Sequence, residues 1–372
     1  MPRPRIALFL PSLVGGGAER VFVELANQFA AEGLSVDLVL AHADGPFMSE
    51  VRTPVRIIDL KSSGVARSMP GLARYLRRER PAALLSALEH ANIVALAARC
   101  LAFTGTRNVV STRGVPTMLG HEAADSAPWV LRAARVAYHF ANAIIANSNG
   151  VADDMARHLH LQRERIEVIY NPLDLVKIEQ MAKAPLDHAF CAPGAPPLIL
   201  SVGRFSPLKD FATLVGAFAR LRATRECRLV ILGDGPEKAG IEELVATLGI
   251  TRDVDLPGFD ANPYAWMSGA SVVVSSSLSE GCPNALMQAL ACGTAVVSTD
   301  AVGGSAEILE GGKWGRLVPV GDPAAMAAAL AATLDDREHP DVRARARDFA
   351  LPRVARDYLS VLLPRDYARG AA

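Results

Sequence analysis

Short apolar runs without polar alternation, each followed by a longer amphipathic stretch, recur along this chain and constrain its fold more than any other feature. In the first half the runs lie at residues 6–10, 36–40, 56–59, 83–86, 108–111, 143–146 and 166–169. A strand with one wet face alternates apolar and polar side chains, so uninterrupted runs mark strands covered on both faces. Between the first two runs, Ala18, Val21, Phe22, Leu25, Ala26 and Phe29 fall at helical spacing, and Gly33 stands where a helix would close. Strand, helix and strand make a βαβ unit. Its repetition predicts a parallel sheet with helices on both faces, a doubly wound α/β domain.

The same pattern restarts after residues 185–197, a segment with prolines and glycine that reads as a linker. Strands are expected at 198–202, 228–232, 254–256, 271–275 and 295–298, with helices from about Lys209, Glu237, Pro283, Ser305 and Pro323. A length of 372 residues suits two domains of ordinary size. The expected division is 1–180 and 190–352, with a helix over about 353–372 packing back on the first domain. Ligands of open α/β sheets bind at the carboxyl ends of the strands, so the two sheets are expected to face each other across a cleft there.

Composition narrows the function. The chain is 50% hydrophobic and 21% charged, the balance of a packed protein. Its apolar runs fall far short of the roughly 20 residues that cross a bilayer, and the N-terminus lacks the pattern of a secretory signal, so a cytoplasmic location is expected. Formal net charge is zero, which gives no support for nucleic-acid binding. Residues 1–175 nonetheless carry net +3 and residues 176–372 net −3. Arg67, Arg74, Arg77, Arg78 and Arg80 lie in a segment with Val65, Met69, Leu72, Tyr75 and Leu76. That segment reads either as a solvated helix face or as one resting peripherally on an anionic membrane. Cys100, Cys191, Cys227, Cys282 and Cys292 are too scattered for a metal site and read as reduced thiols. His158 and His160 are two apart on an expected helix and point to different faces, so no metal is expected.

Chemistry concentrates where strands turn into helices. Gly15, Gly16 and Gly17, followed by Ala18 and Glu19, form such a junction after the first run, and read as a phosphate cradle or as a plain tight turn. The segment has neither the glycine spacing of dinucleotide binders nor the Lys-Ser/Thr of a P-loop, which argues against a dehydrogenase or an ATPase. Gly203 and Arg204 follow the run at 198–202, with Lys209 at the next helix start. An arginine fork and a lysine point charge suit a diphosphate, or are two surface cations. Gly233, Asp234, Gly235 and Pro236 end one run, and Gly258 and Phe259 end another. Exposed backbone and a flat apolar wall suit a nucleobase, or these glycine turns are ordinary punctuation at strand ends. The most informative segment spans 275–298, where Glu280 is delivered to a strand end just before Pro283, Asn284 and Ala285 open a helix. A carboxylate can accept from sugar hydroxyls, and amides at a helix start can face a phosphate. Gln288, about a turn further on, stands where it could reach a ribose hydroxyl.

These pieces, with Asn147-Ser148, Ile169-Tyr170-Asn171-Pro172, Gly303-Gly304 and Glu307, resemble in order the retaining GT-B glycosyltransferases of glycosyltransferase family 4. The resemblance covers nearly the whole chain and implies two Rossmann-like domains across a cleft. It also implies hexosyl or N-acetylhexosaminyl transfer, with retention, from a nucleoside-diphosphate sugar. UDP-sugar is the expected donor and a lipid-linked or cell-surface saccharide the expected acceptor. Arg204 and Lys209 would then hold the donor diphosphate, Glu280 would bind its sugar, and the glycines at 15–17 would close over it. His90 stands near the first-domain position that approaches the donor sugar in this family, or is an ordinary histidine. Neither a metal nor a cofactor beyond the nucleotide sugar is implied. One departure stands out: the family's Glu-x7-Glu has Gln288 at its second place, which puts affinity or nucleotide preference in doubt. Two other readings remain, a weakly active or inactive sugar-nucleotide-binding partner subunit and a GT-B nucleotide-sugar epimerase.

Overall fold

The computed structural model describes residues 4–14, 16–115, 128–336 and 338–364. Gly15 and the end of the expected 353–372 helix lie outside them. Met1–Pro172 together with Leu351–Ala372 form one compact unit, and Leu173–Ala350 form the other.

The first unit runs β1 (Arg5–Leu10), α1 (Gly17–Ala31), β2 (Ser35–Leu40), β3 (Arg56–Asp59), α2 (Met69–Glu79), β4 (Ala83–Ala87), α3 (Glu89–Ala102), β5 (Arg107–Thr112), α4 (Pro128–Ala137), β6 (Ala143–Ala146), α5 (Asn149–Leu159) and β7 (Ile166–Val168). Its seven strands order as β3-β2-β1-β4-β5-β6-β7, and every neighbouring pair is parallel. β1 explains the missing polar alternation. Ile6, Leu8 and Leu10 enter one buried cluster with α1, while Ala7 and Phe9 enter another with residues of α2 and α3. Gly33, with φ 84, closes α1 as expected: its N–H donates to Ala30 O and that of Leu34 to Phe29 O.

The basic segment around α2 differs from one of its two readings. Leu72, Tyr75 and Leu76 are buried, and Val65 and Met69 pack against the same cluster. The Tyr75 hydroxyl also donates to the buried Asp37 carboxylate at 2.6 Å. Leu72, Tyr75 and Leu76 are therefore committed to the sheet and not to a lipid surface, while Arg67, Arg74, Arg77, Arg78 and Arg80 are exposed.

The second unit runs α6 (Leu175–Ala182), β8 (Leu198–Val202), α7 (Phe211–Arg222), β9 (Arg228–Leu232), α8 (Lys238–Thr247), β10 (Val254–Gly258), α9 (Pro263–Gly269), β11 (Val272–Ser275), β12 (Ser279–Glu280), α10 (Asn284–Cys292), β13 (Val296–Thr299), β14 (Val302–Gly303), α11 (Ser305–Ile308), β15 (Arg316–Val318), α12 (Pro323–Asp335) and α13 (Val342–Ala346). Its parallel sheet orders as β10-β9-β8-β11-β13-β15, beside a separate parallel pair, β12-β14. The division falls after Pro172, ahead of the expected linker. α6 belongs to the second unit because Ile178 is buried, Asn262 Nδ2 donates to Met181 O at 2.9 Å and Ser268 Oγ donates to Ala182 O at 2.8 Å.

The last helix, α14 (Leu351–Leu362), returns to the first unit. Leu351, Val354, Ala355, Tyr358, Leu359 and Leu362 repeat at helical spacing and share the cluster that holds α1 and the even residues of β1.

Candidate functional site

In the second unit, glycine backbones knit together the carboxyl ends of three adjacent strands. Gly203 N–H donates to Leu232 O at 2.9 Å, Gly233 N–H to Gly258 O at 2.8 Å and Phe205 N–H to Asp234 O at 2.9 Å. A Cβ on Gly233 would stand 1.9 Å from Gly203 O, and one on Gly235 would stand 2.4 Å from Phe205 O. Any larger residue would force these loops apart. Phe259, next to Gly258, is 77% exposed at this edge.

The loop after β8 ends in a single turn over Pro207–Lys209, and Asp210 caps the following helix. The Asp210 carboxylate accepts from Thr213 Oγ1 at 2.6 Å. The turn is tied to the segment that follows β11: Leu278 N–H donates to Leu208 O at 2.8 Å, and Ser276 Oγ donates to Lys209 O at 2.7 Å. Lys209 Nζ thereby reaches Glu280 Oε1 at 2.5 Å, with both side chains largely shielded from solvent. Ser277 Oγ donates to the same carboxylate oxygen at 2.7 Å.

The Glu280 backbone is held as firmly as its side chain. Glu280 pairs with Gly303 in the β12-β14 ladder, and Gly304 N–H donates to Glu280 O at 2.9 Å. Gly303 has φ 123, and a Cβ there would lie 1.7 Å from Glu280 O. Pro283 sits at the cap position of α10, whose first bond runs from Met287 N–H to Pro283 O at 3.1 Å. The positive end of this helix, at Asn284 and Ala285, therefore stands next in the chain to the segment carrying Glu280. Gln288 lies half-buried one turn along.

Of the residues expected to act together, the structure joins Lys209 and Glu280 directly, and joins Gly203, Gly233, Gly235 and Gly258 through backbone contacts. A Cβ on Gly203 would press on Lys209 Cε at 3.2 Å, so this glycine leaves room for the lysine to lie across it. Arg204 is exposed on the same loop. Ser276 and Ser277 had no assigned role in the sequence reading. Their signal was three serines in a row, the first closing a buried strand, where polar side chains must find partners. Together the parts make an internally neutral Lys-Glu pair beside a helix start and an exposed arginine, a surface able to take phosphate and hydroxyl groups side by side.

Gly16, Gly17 and His90 lie in the first unit. At Gly16 the structure departs from an open phosphate cradle. A Cβ there would lie 2.5 Å from Glu19 Oε2, so the Glu19 carboxylate folds back over the start of α1. A phosphate would have to compete with it. Burial raises the pKa of Glu19, which eases that carboxylate's neutralisation. His90 is exposed in the first turn of α3, just after Leu88, which has φ 73, a strained value for leucine. Beside it, Glu89 Oε1 is sealed from solvent without a hydrogen-bond partner, and burial pushes this carboxyl up to about 7.

The other motif residues of the first unit are positioned by one another. Arg113 donates through Nη1 to Asn171 Oδ1 and to the Tyr358 hydroxyl, each at 3.0 Å, and Asn147 Nδ2 donates to Arg113 O at 2.9 Å. Ser148 Oγ accepts from Val151 N–H at 3.1 Å and caps α5.

Comparison with known proteins gives two family matches in tandem: Glycosyltransferase Family 4 over residues 15–177 and Glycosyl transferases group 1 over residues 188–348. The chain is 29% identical to the N-acetylgalactosamine-N,N'-diacetylbacillosaminyl-diphospho-undecaprenol 4-alpha-N-acetylgalactosaminyltransferase of Campylobacter jejuni, over 96% of this chain and 99% of that protein. It is 26% identical to the lipopolysaccharide core biosynthesis glycosyltransferase LpsE of Rhizobium meliloti, over 85% of this chain and 84% of that protein. Among solved structures, Anabaena HepE in complex with UDP-glucose superposes with a TM-score of 0.80 at 20% identity, covering 97% of this chain and 99% of that one. At that identity the likeness speaks for the fold.

Proposed function

The chain belongs to the GT-B glycosyltransferases of the family 4 type, and on that premise we propose that it moves a sugar from a UDP-sugar to a hydroxyl of a lipid-linked or cell-surface saccharide, with retention at the anomeric carbon. The observation that carries the reading is the Lys209–Glu280 pair, 2.5 Å apart, with Arg204 exposed on the loop that leads to Lys209 and α10 beginning at Asn284, shortly after Glu280 in the chain. Lys209 and Arg204 offset the charge that gathers on the departing diphosphate. Glu280, aligned by Ser277, accepts from hydroxyls of the donor sugar. The amides at Asn284 and Ala285 face phosphate, Gln288 reaches the ribose, and the backbone edges at Gly233, Gly235 and Gly258 border the nucleobase. The reading needs no cofactor or metal besides the donor, since cationic side chains supply the charge offset.

The acceptor assignment draws on the two relatives, whose names point to a diphospho-undecaprenol-linked saccharide and to a lipopolysaccharide core. Envelope saccharide assembly on the cytoplasmic side of the membrane is the setting that fits both. The uridine assignment draws on the fold neighbour that holds UDP-glucose. The test is transfer from a panel of nucleotide sugars by the wild type and by Lys209→Ala. The variant should keep its circular-dichroism spectrum and lose roughly 100-fold or more in kcat. Undiminished transfer by Lys209→Ala would overturn the assignment. Products formed without any acceptor would point to an epimerase instead.

A further inference from the structure

The guanidinium of Arg113, directly after β5, is aimed by the first unit but only half used by it. Nη1 donates to Asn171 Oδ1 and to the Tyr358 hydroxyl, each at 3.0 Å, and the centre of the group lies 5.7 Å from the centroid of the buried Phe22 ring. Two hydrogen bonds and an aromatic neighbour hold the group in place. Nε and Nη2 form the other edge of the fork, one that takes two oxygens of an oxyanion side by side. Both atoms are sealed from solvent, and neither has a hydrogen-bond partner. A buried donor left unpaired is costly, and more so when it is charged, so this edge calls for an anion. Glu19 feels the Arg113 charge, but its carboxylate lies over the start of α1 and makes no hydrogen bond to the fork.

The place of the fork in the sheet says what kind of anion. The last register pair of β5 and β6 is Thr112 with Ala146, so Arg113 and Asn147 are the next residues out at the carboxyl edge, where open α/β sheets bind ligands. Asn147 Nδ2 is spent on Arg113 O at 2.9 Å, and Asn147 Oδ1 is again sealed and without a partner. A two-oxygen fork, with an amide acceptor on the neighbouring strand end, matches an oxyanion on a carrier that also has hydroxyls. That is the chemistry of a phosphorylated or acidic sugar. A neutral sugar would leave the buried charge unmet.

We propose that Arg113 is an oxyanion-binding residue of the first unit and selects acceptor saccharides that carry a phosphate or a carboxylate. The proposal rests for its purpose on the acceptor reading given above. Asn171 and Tyr358 serve as positioning residues, so α14 aims the fork besides covering the sheet.

The experiment is calorimetric titration of the full chain with galactose, galactose 1-phosphate and galacturonate, in saturating UDP so that the donor diphosphate site is filled. The wild type should bind at least one of the anionic sugars about tenfold or more tightly than galactose, and the two anionic arms tell phosphate from carboxylate. Arg113→Gln should erase that preference. Arg113→Lys, which keeps the charge and loses the fork, should keep only part of it. Tyr358→Phe should lower it roughly threefold to tenfold. UDP affinity and the near-UV circular-dichroism spectrum should be unchanged in all three, whereas an arginine with a structural role alone would alter the spectrum and leave the preference as it is. Equal binding of the three sugars by the wild type, or a preference that survives Arg113→Gln, would overturn the proposal. So would a preference that appears only in Glu19→Gln, since the fork would then belong to Glu19. Failure of the wild type to bind UDP would count against the donor reading alone, and the same titrations on the free chain would still decide the role of Arg113.

Discussion

Glu280 is held from three directions, by Lys209, by Ser277 and by its own backbone bond to Gly304. Gly303→Ala would place a Cβ 1.7 Å from Glu280 O at a φ that alanine avoids. It should lower stability by roughly 2 kcal/mol or more, and a urea melt would measure it. Ser277→Ala removes only one donor, so it should cost roughly 1 kcal/mol in donor binding and leave the fold intact, as titration calorimetry with a UDP-sugar would read. Burial raises the Glu89 carboxyl from 4.5 to about 7, so the folded state favours its protonated form. That contribution is complete below 4.5 and disappears as pH rises to about 7. Denaturant melts should therefore show roughly 1–3 kcal/mol lost over that window and little of that loss in Glu89→Gln; identical pH slopes would contradict this. The sequence displayed Lys209 and Glu280 as residue types in good positions. It did not display their contact, because 71 residues separate lysine from glutamate. Nor did it show that Glu19 folds over Gly16, because that depends on one rotamer.

At the scale of elements, the legible parts were those whose physics is local. Strands β1, β2, β8, β9 and β11 are continuous apolar runs because helices cover both faces, and the structure places them where those runs lie. β15 escaped the reading since Arg316–Val318 has three residues and an exposed arginine at the sheet edge. β12 and β14, with two residues each, carry no periodicity at all. α14 shows the opposite case. Its helical spacing was plain, but its place depended on the apolar groove beside α1. A chain ending at Ala350 should expose that groove and lose cooperative melting of the first unit, which near-UV circular dichroism would follow. The milder Tyr358→Ala removes a fully buried ring and a hydrogen bond from Arg113, and should cost about 3–5 kcal/mol.

For the molecule as a whole, each unit has its own sheet and core, and the candidate donor residues Arg204, Lys209, Glu280 and Asn284 all lie in the unit Leu173–Ala350. Donor binding should therefore stabilise the folded chain by about 2.7 kcal/mol at a hundredfold excess over Kd. Hydrogen exchange should slow at the backbone around residues 203–210 and 277–288. A UDP-sugar that protected neither segment would contradict the site. The sequence by itself determined the fold class, the two-part organisation and the chemical inventory, since burial on both faces of a strand and the turn chemistry at its end are written in short stretches of chain. Only the tertiary structure decided that Lys209 meets Glu280, that α6 belongs with the second unit, and that the apolar side of α2 faces inward. Those outcomes depend on strand order and on which surface is already covered, and both come from long-range packing rather than from any local pattern.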